Sequence, residues 1–145
     1  MSTSRKTRNE DLADRLHSAA IHLLRTLRRV DDEIGLTAPR LSVLSVLVFA
    51  GPRTLGQLAK AEQVKPPTMT RLVAALEYDG FVKRTSDKTD GRVTIISATK
   101  KGEALMWLGR SRRVESLAAK LDGLTREEMS ELDGAAKLIE RVARP

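Results

Sequence analysis

Cysteine is absent from this chain of 145 residues, and histidine occurs only twice. Without a thiol the chain can form no disulfide framework, no thiolate metal site and no thiol redox sensor. His17 and His22 are five positions apart in one predicted helix, so they do not share a face. With no credible nucleophile pair and no metal-ligand set, an enzyme is disfavoured, and we predict no cofactor.

Aromatic residues are scarce as well, at 3% of the chain, and long apolar runs are missing. The longest nearly apolar run, 43–50, is far short of the roughly 20 residues that a transmembrane helix needs. The first fifteen residues are polar and charged, without the apolar region of a signal peptide. We therefore expect a cytoplasmic protein without membrane contact, whose core is mainly Leu, Val, Ile and Ala.

Positive charge is what the chain has in excess, and the excess is local. The net charge is +7, and residues 65–113 hold eleven Lys or Arg against five Asp or Glu, a net +6. Such a concentration is the electrostatic footprint of a protein that binds a polyanion. The alternative is a solvated basic face with no partner.

Apolar residues at three- and four-residue spacing predict long helices at both ends of the chain. One stripe runs through a helix that starts near residue 9, and two more lie within 103–121 and 125–142. We assign 9–34 and 103–145 to dimerisation helices, because stripes of this length are best buried against a second copy. A monomeric bundle is the alternative. A helix over 38–50, apolar nearly all round, is predicted to be the buried centre.

Residues 37–99 are predicted to form a winged helix-turn-helix unit, in a chain that is otherwise mainly α. The TLGQ sequence at 54–57 matches a capping box and starts a short helix. Pro66 and Pro67 suit the first turn of a second helix, which runs to about Tyr78. Two β-rich segments, 81–85 and 92–98, flank a turn signal and predict a hairpin, to which 53–55 adds a short third strand.

The start of the second helix carries side chains that suit DNA reading. A helix N-terminus in the major groove brings its first side chains to the base edges. Threonine can hydrogen-bond bases or phosphates, and arginine can reach a guanine edge or a phosphate. The residues assigned to the major groove are Lys65, Pro67, Thr68, Thr70 and Arg71. The alternative is that they are ordinary helix-surface residues.

The hairpin has a charged tip, which predicts a second DNA contact in the adjacent minor groove. Arginine is attracted to narrow, negative A·T tracts there. The residues assigned to this wing are Arg84, Asp87, Lys88, Asp90 and Arg92. Because free carboxylates would repel phosphate, we expect Asp87 and Asp90 to pair with Arg84 or Arg92 and fix the loop. A calcium loop is excluded, since Ala98 stands where the bidentate Glu is needed.

The order of these motifs resembles the MarR family of winged-helix transcriptional regulators. The resemblance runs through LGQLA at 55–59, TMTRLV at 68–73, LEYDGFVKR at 76–84, DKTDGR at 87–92 and TKKG at 99–102. It implies a homodimer on double-stranded DNA at a pseudo-palindromic operator, usually a repressor and often released by a small phenolic or anionic ligand. It also implies that Arg92 enters the minor groove. Thr89 departs from the family's common Asp-x-Arg-Asp-x-Arg wing, which removes the arginine of one wing ion pair.

A ligand pocket between the dimerisation helices and the winged region is predicted by analogy with that family. Its candidate residues are His17, Trp107 and Arg110, for which a place in the core or on the surface is the alternative. Two other functions stay open: a winged-helix protein-interaction module without DNA binding, and a small-molecule carrier or enzyme. The +6 segment argues against the first, and the lack of catalytic residues argues against the second.

Overall fold

A computed structural model of the chain describes residues 2–144, with side chains from residue 7 onward. The described part contains six helices and three strands, and the predicted fold class, mainly α with a small β-hairpin wing, is confirmed. The elements are α1 (Ser2–Glu33), α2 (Ala38–Ala50), β1 (Arg53–Thr54), α3 (Leu55–Ala61), α4 (Pro66–Tyr78), β2 (Val82–Ser86), β3 (Thr94–Ala98), α5 (Lys100–Leu121) and α6 (Arg126–Ala143).

The chain divides into two compact units, Met1–Arg113 and Val114–Pro145, and the boundary falls within α5. The buried hydrophobic core lies in the first unit, where α2 to α5 and the strands contribute one cluster. Its members are Leu36, Leu41, Val43, Leu44, Leu47, Leu58, Ala59, Met69, Val73, Leu76, Val82, Ile96 and Met106. This core positions the second helix and the wing described below.

Helix α2 is the centre of the core, as its apolar sequence predicts. It carries Pro39 in its first turn, where a missing N–H leaves no bond unmade. It stops at Gly51, whose φ of +79° favours glycine. No single described helix is long and apolar enough to cross a membrane. Only α1 and α2 taken together reach that length and apolarity, but they are bent by 92° and α2 belongs to the buried core.

The predicted capping box at the start of α3 is confirmed. The Thr54 hydroxyl accepts from the Gln57 amide at 3.1 Å, and the Gln57 side chain accepts from the Thr54 amide at 3.0 Å. The turn between α3 and α4 contains Gln63 with a φ of +53°. Buried Leu58 and Ala59 then place α3 against the core.

The three strands form one antiparallel sheet in the order β1-β3-β2. Val82 pairs with Ala98 and Ser86 with Thr94 in the hairpin, while Arg53 of the predicted third strand pairs with Ile96. Strand β3 begins two residues later than the predicted 92–98 segment. The reason is that the Val93 amide donates to the Asp90 carbonyl at 3.0 Å, which keeps Val93 in the turn.

The apolar stripes of the terminal helices are largely exposed within one protomer. Helix α1 starts at Ser2, earlier than the predicted residue 9, and its Leu12 is 58% exposed. Helix α6 has no buried residue, and its Val142 is 76% exposed. Single amphipathic helices of this kind need a partner surface to be stable. The assignment of 9–34 and 103–145 to dimerisation stays a prediction.

Candidate nucleic-acid interface

Helix α4 has one buried face and one exposed face, and the predicted major-groove residues all lie on the exposed one. Met69, Val73 and Leu76 are buried in the core. The exposed set at or beside the N-terminal end of the helix is Lys65, Pro67, Thr68, Thr70 and Arg71. The three-four spacing of the buried residues therefore turns polar and basic side chains toward solvent at one end of α4.

The first turn of α4 offers no free backbone donor. Pro66 and Pro67 have no N–H, and the amides of Thr68 and Met69 donate to the Lys65 carbonyl at 3.0 and 3.2 Å. Helix N-termini often bind anions through free amides. At this helix start, contacts to a nucleic acid must come from side chains instead.

Thr70 has a restricted hydrogen-bonding role. Its hydroxyl donates to the Pro66 carbonyl at 3.0 Å, so its single proton is already used within the helix. A threonine hydroxyl has one donor and two acceptor lone pairs. Thr70 is therefore set up to accept a hydrogen bond from a partner, while its methyl group can make an apolar contact.

Arg84 ties the wing to α4. Its Nε lies 3.0 Å from Oε2 of Glu77, which joins strand β2 to the last turns of the helix. The expectation that Arg84 pairs with Asp87 or Asp90 is therefore wrong. Arg84 and Glu77 are only seven residues apart, and the hairpin brings them together across the Gly80 turn.

The wing tip is fixed by hydrogen bonds within the loop and not by the expected carboxylate–arginine pairs. Oδ1 of Asp87 accepts from the amide and the hydroxyl of Thr89 at 2.7 and 2.9 Å. Oδ1 of Asp90 accepts from the backbone amide of Arg92 at 3.0 Å. These are local turn bonds of the kind that Asp side chains make readily. The predicted loop-fixing role is confirmed, but its partners are backbone and hydroxyl donors.

Electrostatics at the tip follow from these bonds. The amide of Thr89, and after it the Thr89 hydroxyl, lowers the pKa of Asp87 below its ordinary value of 3.8. The side chains of Lys88 and Arg92 are exposed, and no ion pair in the described part of the chain includes them. Two cations are thus available at the tip for an external anion.

The three predicted ligand residues lie on α1 and α5, outside the lining of the cavity described below. His17 is exposed on α1 and Arg110 is exposed on α5. Trp107 is 45% exposed and packs edge-on against Phe49, with 5.5 Å between the ring centroids. None of the three lines the cavity of about 410 Å³ in the first unit, which is lined by Leu24, Leu27, Arg28, Asp31, Ala38, Pro39, Leu41, Ser42, Ser45, Glu62, Val64 and Arg113.

The cavity also contains a buried ion pair, between Asp31 and Arg113, that was not predicted from the sequence. Both carboxylate oxygens of Asp31 accept from the Arg113 guanidinium, at 2.6 and 2.7 Å, and the Asp31 side chain is 2% exposed. Asp31 lies four residues after Leu27 on the apolar stripe of α1. A carboxylate at such a position signals a buried cationic partner. Among the described residues no group of His, Asp and Glu could hold a metal ion.

Comparison with known proteins assigns this arrangement to a family. The family model described as MarR family matches residues 36–94. The "Uncharacterized HTH-type transcriptional regulator Mb0904" of Mycobacterium bovis is 38% identical over 128 residues, which cover 88% of this chain and 90% of that protein.

Solved structures agree with that assignment. A MarR family protein from Bacillus stearothermophilus matches with a TM-score of 0.80 at 25% identity, covering 96% of this chain and 98% of that chain. The F27L mutant of S. aureus MepR, bound to an oligodeoxyribonucleotide, shows the same fold with a TM-score of 0.68 at 19% identity, over 92% of this chain and 98% of its own. This chain belongs to the MarR family of HTH-type transcriptional regulators, a non-enzymatic family.

Proposed function

We propose that this regulator acts in the cytoplasm as a homodimer, binds a pseudo-palindromic DNA operator and represses transcription from it. The observation that carries the proposal is the exposed polar and basic end of α4, whose first turn has no free amide and so leaves recognition to side chains. The S. aureus MepR mutant of the same fold is bound to an oligodeoxyribonucleotide, which supports DNA as the partner.

In the proposed complex α4 lies in the major groove. Arg71 donates to a guanine edge or a phosphate, and Thr68 contacts a base or a phosphate. Thr70 accepts from a base amino group, because its own proton is held by the Pro66 carbonyl. Lys65 adds a phosphate contact at the helix start, next to Pro67.

The wing supplies the second contact, in the minor groove. Arg92 and Lys88 are the free cations of the tip, and a narrow A·T minor groove attracts arginine. Asp87 and Asp90 hold the loop that presents these cations. Arg84 acts from the base of the wing by fixing it to α4 through Glu77.

A homodimer accounts for the exposed apolar faces of the terminal helices. Exposed stripes of this extent mark interaction surfaces, and a two-fold dimer buries the same stripe on both copies. The exposed apolar residues in these helices include Leu12, Leu16, Leu23, Leu24, Val114, Met129, Leu132, Leu138, Ile139 and Val142. Two reading helices at a fixed separation then match a pseudo-palindrome.

A small phenolic or anionic ligand is the proposed release signal. The cavity of about 410 Å³ has the size of a small-molecule site, and Arg28 and Arg113 in its lining can meet an anion. Asp31 and Glu62 in the same lining balance that charge, so the aromatic or apolar part of the ligand has to contribute as well.

Selection of bound sequences from random duplex DNA tests the proposal most directly. We expect a pseudo-palindrome with half-sites about one helical turn, ~34 Å, apart. Affinity should fall steeply as salt rises, because phosphate contacts release counterions. A binding constant that does not depend on salt, or no binding to any duplex at low salt, would falsify the proposal. Lower reporter expression with the operator at the promoter would support repression, and higher expression would make the protein an activator.

Two substitutions separate the groove contacts. Arg71→Ala should reduce the preference for operator over random DNA by ~1–3 kcal/mol, the value of a good base contact. Arg92→Ala should weaken binding most on operators with A·T-rich flanks. Arg126→Ala, which removes an exposed arginine at the start of α6, is the charge-matched control. If Arg71→Ala weakens binding to operator and random DNA equally, Arg71 contacts a phosphate and not a base. If the affinity lost in Arg92→Ala is the same for all flanking sequences, Arg92 does not bind the minor groove.

A further inference from the structure

The C-terminal end of α4 is held by the first turn of α5. Beyond the helix end, three successive backbone carbonyls, at 79–81, accept hydrogen bonds from Thr99 and Lys101. Nζ of Lys101 donates to the Asp79 carbonyl at 2.8 Å, the Thr99 hydroxyl donates to the Gly80 carbonyl at 2.7 Å, and the Thr99 amide donates to the Phe81 carbonyl at 3.0 Å. We call residues 79–81 and 99–102 the α4–α5 joint.

Close packing makes the joint specific. Gly102 is buried, and a Cβ at this position would overlap the carbonyl oxygen of Phe81, so only glycine lets α5 lie this close. The amide of Gly102 donates to the Thr99 hydroxyl at 3.1 Å. The ammonium of Lys101 also lies 4.9 Å from the centre of the Phe81 ring, a cation–π distance. The side chains of Thr99 and Lys101 therefore hold residues 79–81 against the start of α5.

A contact from α2 completes the arrangement. Arg40 reaches the Asp79 carboxylate at 3.1 Å, while Lys101 holds the carbonyl of the same residue. The end of α4 is thus fixed from two directions, by α2 and by α5. Further along α5, Arg113 binds Asp31 of α1, so one helix connects α1 to the end of α4.

The length of α4 makes the position of its reading end sensitive to a small tilt at the joint. Helix α4 has 13 residues, so its reading end lies roughly 18 Å from the joint at 1.5 Å per residue. A tilt of about 5° at the joint would move the reading end by about 1.5 Å over that length. Hydrogen bonds to base edges tolerate only a few tenths of an ångström. Phosphate contacts by long flexible side chains tolerate more, so a tilt affects sequence preference before it affects overall affinity.

We propose that the α4–α5 joint is a positioning device that sets the orientation of α4, with Lys101 and Thr99 as its positioning residues. The inference rests on the proposed function, since it concerns how a DNA-reading helix is aimed. Lys101 and Thr99 act through backbone carbonyls at the far end of α4 from Thr68 and Arg71. Their loss should therefore change discrimination between DNA sequences.

The test compares Lys101→Met with Lys100→Met in the full-length chain. Both lysines are exposed in the first turn of α5 and both changes remove one positive charge, but the side chain of Lys100 makes no ion pair or hydrogen bond within the described residues. The probes are the tightest duplex from the random-sequence selection and a shuffled duplex of the same composition. We expect Lys101→Met to lower the affinity ratio of the two duplexes by about fivefold, the equivalent of one net hydrogen bond, and Lys100→Met to leave it within twofold.

A second pair of variants guards against a general folding defect. Thr99→Ala removes the hydroxyl that binds the Gly80 carbonyl, and Thr99→Ser keeps it. Restoration of the affinity ratio by serine, at matched thermal midpoints, supports the positioning role. Hydrogen exchange of the free protein adds a readout without DNA: the amides of 79–81 should exchange faster in Lys101→Met than in Lys100→Met.

Each other outcome overturns the inference. Equal behaviour of the two lysine variants would remove the role of Lys101. An equal loss on both duplexes, with the salt slope reduced by about one, would make Lys101 a phosphate contact instead. If the unsubstituted protein binds DNA but neither variant changes the ratio, the joint alone is wrong. If the unsubstituted protein binds no duplex, the proposed function itself fails and the joint's role fails with it.

Discussion

Helices α3 and α6 begin with the same local motif but lie in different surroundings. Thr54 and Gln57 form a reciprocal capping box at α3, and Thr125 and Glu128 form one at α6. Helix α3 buries Leu58 and Ala59 in the core, whereas α6 buries no residue. A cap therefore determines where a helix starts, but it says nothing about what the helix packs against. Helix α3 buries its apolar face within the core of the first unit, whereas α6 leaves its apolar face for another surface.

The largest expected effect comes from placing a charge on that face. Ile139→Glu should convert the proposed dimer into a monomer, because the site occurs twice in a two-fold interface and each buried Ile contributes about 1.5–3 kcal/mol. Sedimentation at micromolar protein concentration measures the change. Ser130→Glu, on the polar face of α6, is the control and should leave the assembly intact. A dimer that survives Ile139→Glu would show that α6 is not part of the interface.

The next largest effect is expected in the first unit, at the buried ion pair between Asp31 and Arg113. Arg113→Met leaves the buried Asp31 carboxylate without its bidentate partner, which should cost about 3 kcal/mol of unfolding free energy, at the lower end for breaking a buried pair because Arg113 is partly exposed. Urea unfolding measures it. Arg112→Met removes the same charge from an exposed neighbour and should change stability little. Equal losses in the two variants would mean that the ion pair adds nothing.

A smaller effect tests whether the two capping boxes are locally equivalent. Thr54→Ala and Thr125→Ala should each lower the unfolding free energy by about 1 kcal/mol, the usual value of a lost N-cap. The serine variants keep the capping oxygen and serve as controls in the same urea experiments. A loss for Thr54→Ala without one for Thr125→Ala would show that α6 contributes little to folding on its own.

The smallest effect concerns the wing tip, where local bonds act without burial. Because the pKa of Asp87 is lowered in the folded chain, its contribution to stability is present above the ordinary value of 3.8 and is lost as pH falls through the folded pKa. Thr89→Val removes the hydroxyl but keeps the amide, which is the larger cause. An NMR titration of the carboxylate should therefore show the pKa rising only part of the way. If the pKa of Asp87 instead returns fully to its ordinary value, the hydroxyl of Thr89 is the cause of the whole shift.

Local signals predicted most of the winged region. The range of α2, the start of α3 and the range of α4 follow from caps, prolines and glycines within a few residues of each boundary. The predicted partners of Asp87 and Arg84 were wrong, because Arg84 lies beside Glu77 and Thr89 offers Asp87 a closer donor. Asp90 does bind Arg92, but through the backbone amide and not through the guanidinium. Charge type alone did not choose between these donors.

The sequence by itself determined most boundaries of α2, α3 and α4, which face of α4 is polar, and where positive charge accumulates. These properties depend on hydrogen bonds and periodicities that span three or four residues. Only the tertiary structure decided that Asp31 binds Arg113, 82 positions away, and that Gly102 lies against Phe81. Such contacts depend on how whole helices pack against one another. No local spacing in the sequence therefore predicts which residues meet.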